Sequence, residues 1–149
     1  MTASRINSKQ LGELLLDQKI ISREQLEQAL RAQRDKGGLI GEILVELKYV
    51  KEDDIAQSLT AQYGFPYLSL SHYDVSPEIA NIIPCGLARQ YLLVPIDKIG
   101  SNLTLAMSNP LNMQAIDDVE LLSGCSVQAF VSTSSDIKQA IEKYYKNKD

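Results

Sequence analysis

Apolar residues recur at helical spacing through the first 62 positions, and the spacing itself recurs. Leu11, Leu14, Leu15 and Leu16 fall on one face of a helix, and Leu26, Ala29 and Leu30 fall on one face of the next. Shifted by 29 positions, residues 10–33 overlie residues 39–62 without a gap, and 8 of the 24 pairs are identical: Gly12/Gly41, Glu13/Glu42, Leu15/Leu44, Lys19/Lys48, Gln28/Gln57, Leu30/Leu59, Ala32/Ala61 and Gln33/Gln62. Unrelated segments match at about one or two positions, so the unit is duplicated. Each copy predicts a short helix, a tight turn and a longer helix. Ser22 followed by Gln25 has the form of a capping box for the longer helix of the first copy. In the second copy the cap falls on Lys51, with Glu52, Asp53 and Asp54 favouring a helix N-terminus, and Ile40, Ile43, Leu44, Leu47, Ile55, Ser58 and Leu59 facing inward. Residues 34–38, with Gly37-Gly38, form the linker.

Beyond Tyr63 the period changes. Gly64-Phe65-Pro66 breaks the helix, and residues 67–70 read as a short strand. Ser76 caps a helix with Pro77 at its first position, ending near Pro84. Residues 92–96 and 102–107 are apolar runs joined by a polar turn, a hairpin bent near Gly100-Ser101. Residues 114–122 form a helix closed by Gly124, residues 127–131 a strand, and Ser134 or Ser135 caps a last helix with Ile137, Ala140, Ile141 and Tyr144 inward. The fold class is α+β. A helical lobe (1–63) of two tandem helix-turn-helix repeats precedes a small α/β lobe (64–149) with a short mixed or antiparallel sheet, the two packed as one domain.

Composition narrows the function. The chain has 149 residues, 44% hydrophobic and 23% charged, which is ordinary globular usage. A net charge of −4 argues against non-specific affinity for DNA or RNA. No apolar run approaches the roughly 20 residues of a membrane span, so direct membrane insertion is not expected. The two cysteines, Cys85 and Cys125, are far apart and belong to no CxxC pair, which fits reduced thiols in the cytoplasm.

Catalytic motifs are missing: there is no GxxxxGK[ST], GxSxG or GxGxxG. His72, the single histidine, reads as a loop imidazole, and Asp117, Asp118 and Glu120 as a solvated helix face rather than a cation site. Cys85 and Cys125 read as buried small hydrophobes. The ending Tyr144-Tyr145-Lys146 reads as a helix fading into a linker, as expected for a module of a longer protein. The repeat is what invites a functional explanation. Gly12 and Gly41 share one position, where glycine costs a helix about 1 kcal/mol relative to alanine. Each admits either a second helix or a flat ligand close to the backbone, while Gln33 and Gln62 offer amide donors and acceptors.

Residues 10–33 and 39–62 resemble the tandem 24-residue motifs of the MshEN-type cyclic-di-GMP-binding domain, approximately RLGxxLxxxGxIxxxQLxxALxxQ. The match runs through Leu11-Gly12, Leu15, Ile21, Gln25-Leu26, Ala29-Leu30 and Gln33, then Gly41, Leu44, Leu59 and Gln62. The second half is similar to the rest of the N-terminal domain of type II secretion and type IV pilus assembly ATPases, through Ile83-Pro84, Leu87-Ala88, Val94-Pro95, Leu105-Ala106-Met107-Ser108-Asn109-Pro110, Ala115-Ile116-Asp117-Asp118 and Ile141…Tyr144-Tyr145. The resemblance implies a non-catalytic cytoplasmic domain ahead of a motor absent from this chain. It is peripheral to the inner membrane through platform or assembly proteins, and in one branch it binds cyclic di-GMP. It implies a groove, for that ligand or for docking, formed by Gln10, Leu11, Gly12, Leu15, Gln33, Leu39, Ile40, Gly41, Leu44, Gln62 and Asn109. If the ligand lies there, Gly12→Val and Gly41→Val abolish binding with the fold intact. The pattern's leading Arg is Gln10 and Leu39 here, its turn Gly is Lys19 and Lys48, and its Asp before Pro is Asn109. Loss of one bidentate charged contact costs about 1–3 kcal/mol. Docking and nucleotide sensing therefore both stay open.

Overall fold

In the computed structural model, which describes residues 11–145, the duplication extends to single backbone hydrogen bonds. The N–H groups of Gln18, Lys19 and Ile20 donate to the carbonyls of Leu14, Leu16 and Leu15; those of Leu47, Lys48 and Tyr49 donate to Ile43, Val45 and Leu44, each 29 positions on. Lys19 and Lys48 both take a left-handed conformation, with φ of 62° and 65°, which is where the motif has glycine. Four helices result: α1 (residues 11–17 as described), α2 (Arg23–Lys36), α3 (Ile40–Glu46) and α4 (Glu52–Tyr63). The Ser22–Gln25 capping box is present, with bonds of 2.9 and 3.1 Å. Lys51 heads α4 without a side-chain cap; instead the Asp54 carboxylate accepts from the Lys51 N–H. The linker is shorter than residues 34–38, because α2 continues to Lys36 before Gly37 and Gly38 turn the chain with φ of 77° and 101°. Leu47 is exposed rather than inward, since α3 has already ended at Glu46.

Gly12 is buried, and its reason is packing. A Cβ there would lie 2.6 Å from Leu26 Cδ1, so glycine lets α2 close on α1. At Gly41 the corresponding neighbours are looser: Leu11 Cδ2 at 3.2 Å and Ile55 Cδ1 at 3.6 Å.

The second half folds as a three-stranded mixed sheet with helices. Residues 67–70 make no strand. Tyr67 forms a single parallel bridge to Val131, and Leu70–His72 is one 3-10 turn carrying an exposed His72. Ser76 caps α5 (Pro77–Ala80), a single turn, and a helix unmarked in the sequence follows, α6 (Cys85–Tyr91). β1 (Leu93–Ile99) and β2 (Asn102–Met107) form the expected hairpin with Gly100 at φ 60°; α7 (Met113–Ser123) then crosses over to β3 (Ser126–Val131), parallel to β2. α8 (Ser134–Tyr144) is capped by Thr133, one residue before the expected serines. Tyr145 is not frayed. It is 2% exposed, and its hydroxyl meets the Ala80 and Ile83 carbonyls at 2.7 and 2.8 Å.

Two buried clusters hold the halves. One is built on the sheet with Ile83, Leu93, Leu103, Leu105, Val119, Ile137 and Ile141. The other, centred on Leu11, Leu15, Leu44 and Leu59, also takes in Leu111 and Val131 from the second half, while Leu39 packs in the opposite direction against the sheet cluster. Across the same junction the Glu52 carboxylate accepts from Ser135 N–H and Oγ at 2.8 and 2.7 Å, and Lys138 pairs with Glu42 at 2.6 Å.

Two substitutions test this packing. Gly12→Val is expected to lower stability by about 1–3 kcal/mol through overpacking against Leu26, which urea denaturation measures. Tyr145→Phe removes the single phenolic hydrogen that the buried Ala80 and Ile83 carbonyls share, and is expected to cost about 1–3 kcal/mol in the same assay.

Candidate functional site

The junction of the halves encloses a cleft of about 180 Å³ whose lining includes Leu11, Gln33, Leu39, Ile40, Gly41 and Asn109. The first turn of α3 brings in Leu39–Gly41, the end of α2 brings in Gln33, and the bend after β2 brings in Asn109. Each polar group has a local partner. Gln33 Nε2 donates to the Gly38 carbonyl at 3.0 Å, and Asn109 Oδ1 accepts from the Leu111 N–H at 3.1 Å. The other expected groove residues are not gathered here. Leu15 and Leu44 are 0% exposed in the core, because a/d-like spacing turns them toward the partner helix. Gly12 is covered by Leu26 rather than open to the cleft, so a side chain there meets the Leu26 methyl before any ligand. Gln62, in the exposed last turn of α4, lines no part of the cleft: the two copies meet the second half through different faces. Gln10 lies outside the described residues.

Several lining residues were not among the expected groove residues. Glu42 and Glu52 come from the helical half, and Tyr91, Ser108, Asn112, Gln114 and residues 132–134 from the other. The run Ser132-Thr133-Ser134 was legible only as a helix cap. The polar chemistry is that of amides, hydroxyls and two carboxylates, with no Lys, Arg or His among the described residues of the lining. Glu42 is neutralised by Lys138, and Glu52 is held by Ser135. Such a surface hydrogen-bonds neutral groups well and offers phosphate little positive charge. Its volume is below the roughly 300–1,000 Å³ of small-molecule pockets, so a dinucleotide would have to lie across its mouth.

Tyr91, on the cleft wall, donates to Asp118 Oδ2 at 2.7 Å. Glu120 accepts from the Val127 N–H at 2.9 Å, so two of the three α7 acids have structural partners. Among the described residues no group of His, Cys, Asp and Glu could hold a metal ion. Cys125 is buried, whereas Cys85 is half-buried with Arg89 Nε 3.2 Å from its Sγ. No described helix is long and apolar enough to cross a membrane.

Burial, then the hydrogen bond to Asp118 and its charge, push the Tyr91 phenol up to about 12. A folded pKa above the unfolded value of about 10 means that stability is fully present below pH 10 and is lost as pH rises toward 12. In urea denaturation across that window, the stability of the parent chain is expected to fall more steeply than that of Tyr91→Phe. Parallel curves would count against the Tyr91–Asp118 bond.

The model of the MshEN domain matches residues 63–149. The type IV pilus assembly ATPase PilB of Myxococcus xanthus is 37% identical over 141 residues, which is 95% of this chain and 25% of that protein. PilB of Thermus thermophilus is 30% identical over 147 residues, 97% of this chain and 16% of that protein. The chain thus spans a quarter or less of the length of these curated relatives. The N-terminal domain of XpsE shares the fold with a TM-score of 0.74 at 23% identity, covering 97% of this chain and 98% of the other. The structure of MshE with cdg aligns with a TM-score of 0.66 at 28% identity, covering 91% and 98%. With more than half its length matched by the family model, and with type IV pilus assembly ATPases among its relatives, this chain belongs to the MshEN domain family.

Proposed function

We propose that the chain is a non-catalytic docking module of a type IV pilus assembly ATPase, coupling the motor to the inner-membrane platform from the cytoplasmic side. The observation that carries this reading is the composition of the cleft. Among the described residues its lining holds two carboxylates, one of them paired with Lys138, and no Lys, Arg or His, and Leu39 stands where the motif has arginine, so the lining offers a phosphodiester little positive charge. The identity to two PilB proteins supports the choice of machine. The domain contributes binding, and ATP turnover belongs to the motor of the parent protein.

A second reading is a cyclic-di-GMP sensor. It is favoured by the 28% identity to MshE in its structure with cdg and by the clustering of Leu11, Gln33, Ile40, Gly41 and Asn109 along one opening. The ligand would lie across that opening with its guanines on the amides.

Two assays separate these readings. The immobilised chain is expected to retain platform proteins from detergent-solubilised inner membranes of its own organism, and an empty eluate would overturn docking. An amide-resolved titration with cyclic di-GMP is expected to leave Leu11, Gln33, Ile40 and Gly41 unshifted at millimolar ligand, whereas selective shifts there at micromolar ligand would favour sensing. In the sensing case Gln10→Arg tightens binding about ten- to a hundred-fold.

A further inference from the structure

The outer face of α4 carries a second concavity, separate from the cleft. Asp53, Ala56, Gln57, Thr60 and Ala61 fall at i, i+3, i+4, i+7 and i+8, a single stripe along the helix, and together with Tyr67 they line a groove of about 470 Å³. Its floor is apolar. Ala56 is buried, and the Thr60 hydroxyl is engaged with the Ala56 carbonyl at 2.9 Å. Its wall is fixed, because the backbone on either side of Tyr67 is tied to the end of β3: Val131 N–H donates to the Pro66 carbonyl, and Leu68 N–H donates to the Val131 carbonyl, both at 2.9 Å. The Tyr67 ring is 48% exposed, so an aromatic face stands ready beside a shelf of small side chains.

The rim of this groove is acidic. Asp53 lines one end of it. Beside it the Glu52 carboxylate accepts from Ser135, the neighbour of Asp136, and the charges of Asp136, Asp53 and Glu52 add to burial in raising the Tyr67 phenol pKa. Glu52 is engaged by Ser135, whereas the carboxylates of Asp53 and Asp136 form no ion pair among the described residues. The cations nearest them in sequence are Lys51 and Lys138, and the latter is paired with Glu42.

We propose that this groove seats a basic, amphipathic helix of a partner protein, with apolar side chains between Tyr67 and the Ala56–Ala61 shelf and Lys or Arg over Asp53 and Asp136. Small floor residues let a second helix approach closely, and the unpaired acids select the sign of its charge. The inference rests on the docking reading and supplies its surface and the chemistry of its partner.

The test uses the 149-residue chain with two 18-residue amphipathic helical peptides of identical leucine pattern, one carrying lysine and the other glutamate on its polar face. The lysine peptide is expected to shift the amides of Ala56, Gln57, Thr60, Ala61 and Tyr67, and the glutamate peptide to leave them unmoved. Ala61→Arg, at an exposed position, fills the groove with a cation and is expected to weaken the lysine peptide at least tenfold; Asp53→Lys weakens it and Tyr67→Phe does not. Unchanged circular dichroism certifies the fold of each variant. Shifts spread over other acidic surfaces, or undiminished binding by Ala61→Arg, would overturn the proposal. Platform capture tells the two readings apart. If Ala61→Arg still captures the platform proteins, the groove is wrong and docking stands. If the parent chain captures none but the lysine peptide still shifts groove amides alone, docking fails and the chemistry of the groove is upheld.

Discussion

Everything in this domain depends on a burial requirement that no two-helix unit can meet alone. α3 has only seven residues, and an isolated helix that short does not form in water; it exists because Ile40, Ile43 and Leu44 are covered. The covering surface is the other copy of the unit, and the fit is close enough that a side chain at Gly12 would have to displace Leu26. Even so, two copies do not complete the core. Leu111 and Val131 arrive from the second half to finish it, and Val131 is also the last residue of β3. The helical cluster is therefore closed by the end of a strand, which makes the sheet a structural partner of the repeat.

That dependence explains what could be read from the sequence and what could not. The repeat, its capping box, the hairpin, α7 and β3 are all set by local signals: period, cap chemistry, a Gly-containing turn and alternation. The elements that local signals do not set are those decided at a distance. Residues 67–70 have strand composition but pair only where Tyr67 meets Val131, so a single bridge replaces a strand. α6 starts on Pro84 with no capping hydroxyl and contains Gly86, leaving its helical state to packing of Ala88. Tyr145 looks like a fraying end until the carbonyls of Ala80 and Ile83, some 60 positions earlier, supply its acceptors.

The functional residues divide along the same line. Family likeness named the repeat positions symmetrically, yet the two copies are not equivalent in space once the sheet lobe docks on one side. Gln33 reaches the junction and Gln62 does not, although both close the same motif. Likewise Gly41 remains at the cleft while Gly12 is consumed by contact with Leu26. Among the described residues the duplicated sequence thus meets the cleft unequally. Its remaining lining comes from Ser, Asn and Glu residues whose individual signals are weak.

Charge then links the cleft to the outer face of α4. Both draw on the acidic start of that helix, residues 52–54, which suits the helix dipole. Glu52 faces inward, where Ser135 satisfies it, and so helps lock the lobes together. Asp53, one residue on and about 100° around the helix, has no such partner and leaves its charge at the end of an apolar groove. A single acidic run therefore stabilises the helix, fastens the junction and leaves one charge on the outer face. The first two roles consume their charges within the molecule. The third charge stays unpaired beside a preformed apolar groove, the combination on which the proposed cationic partner rests.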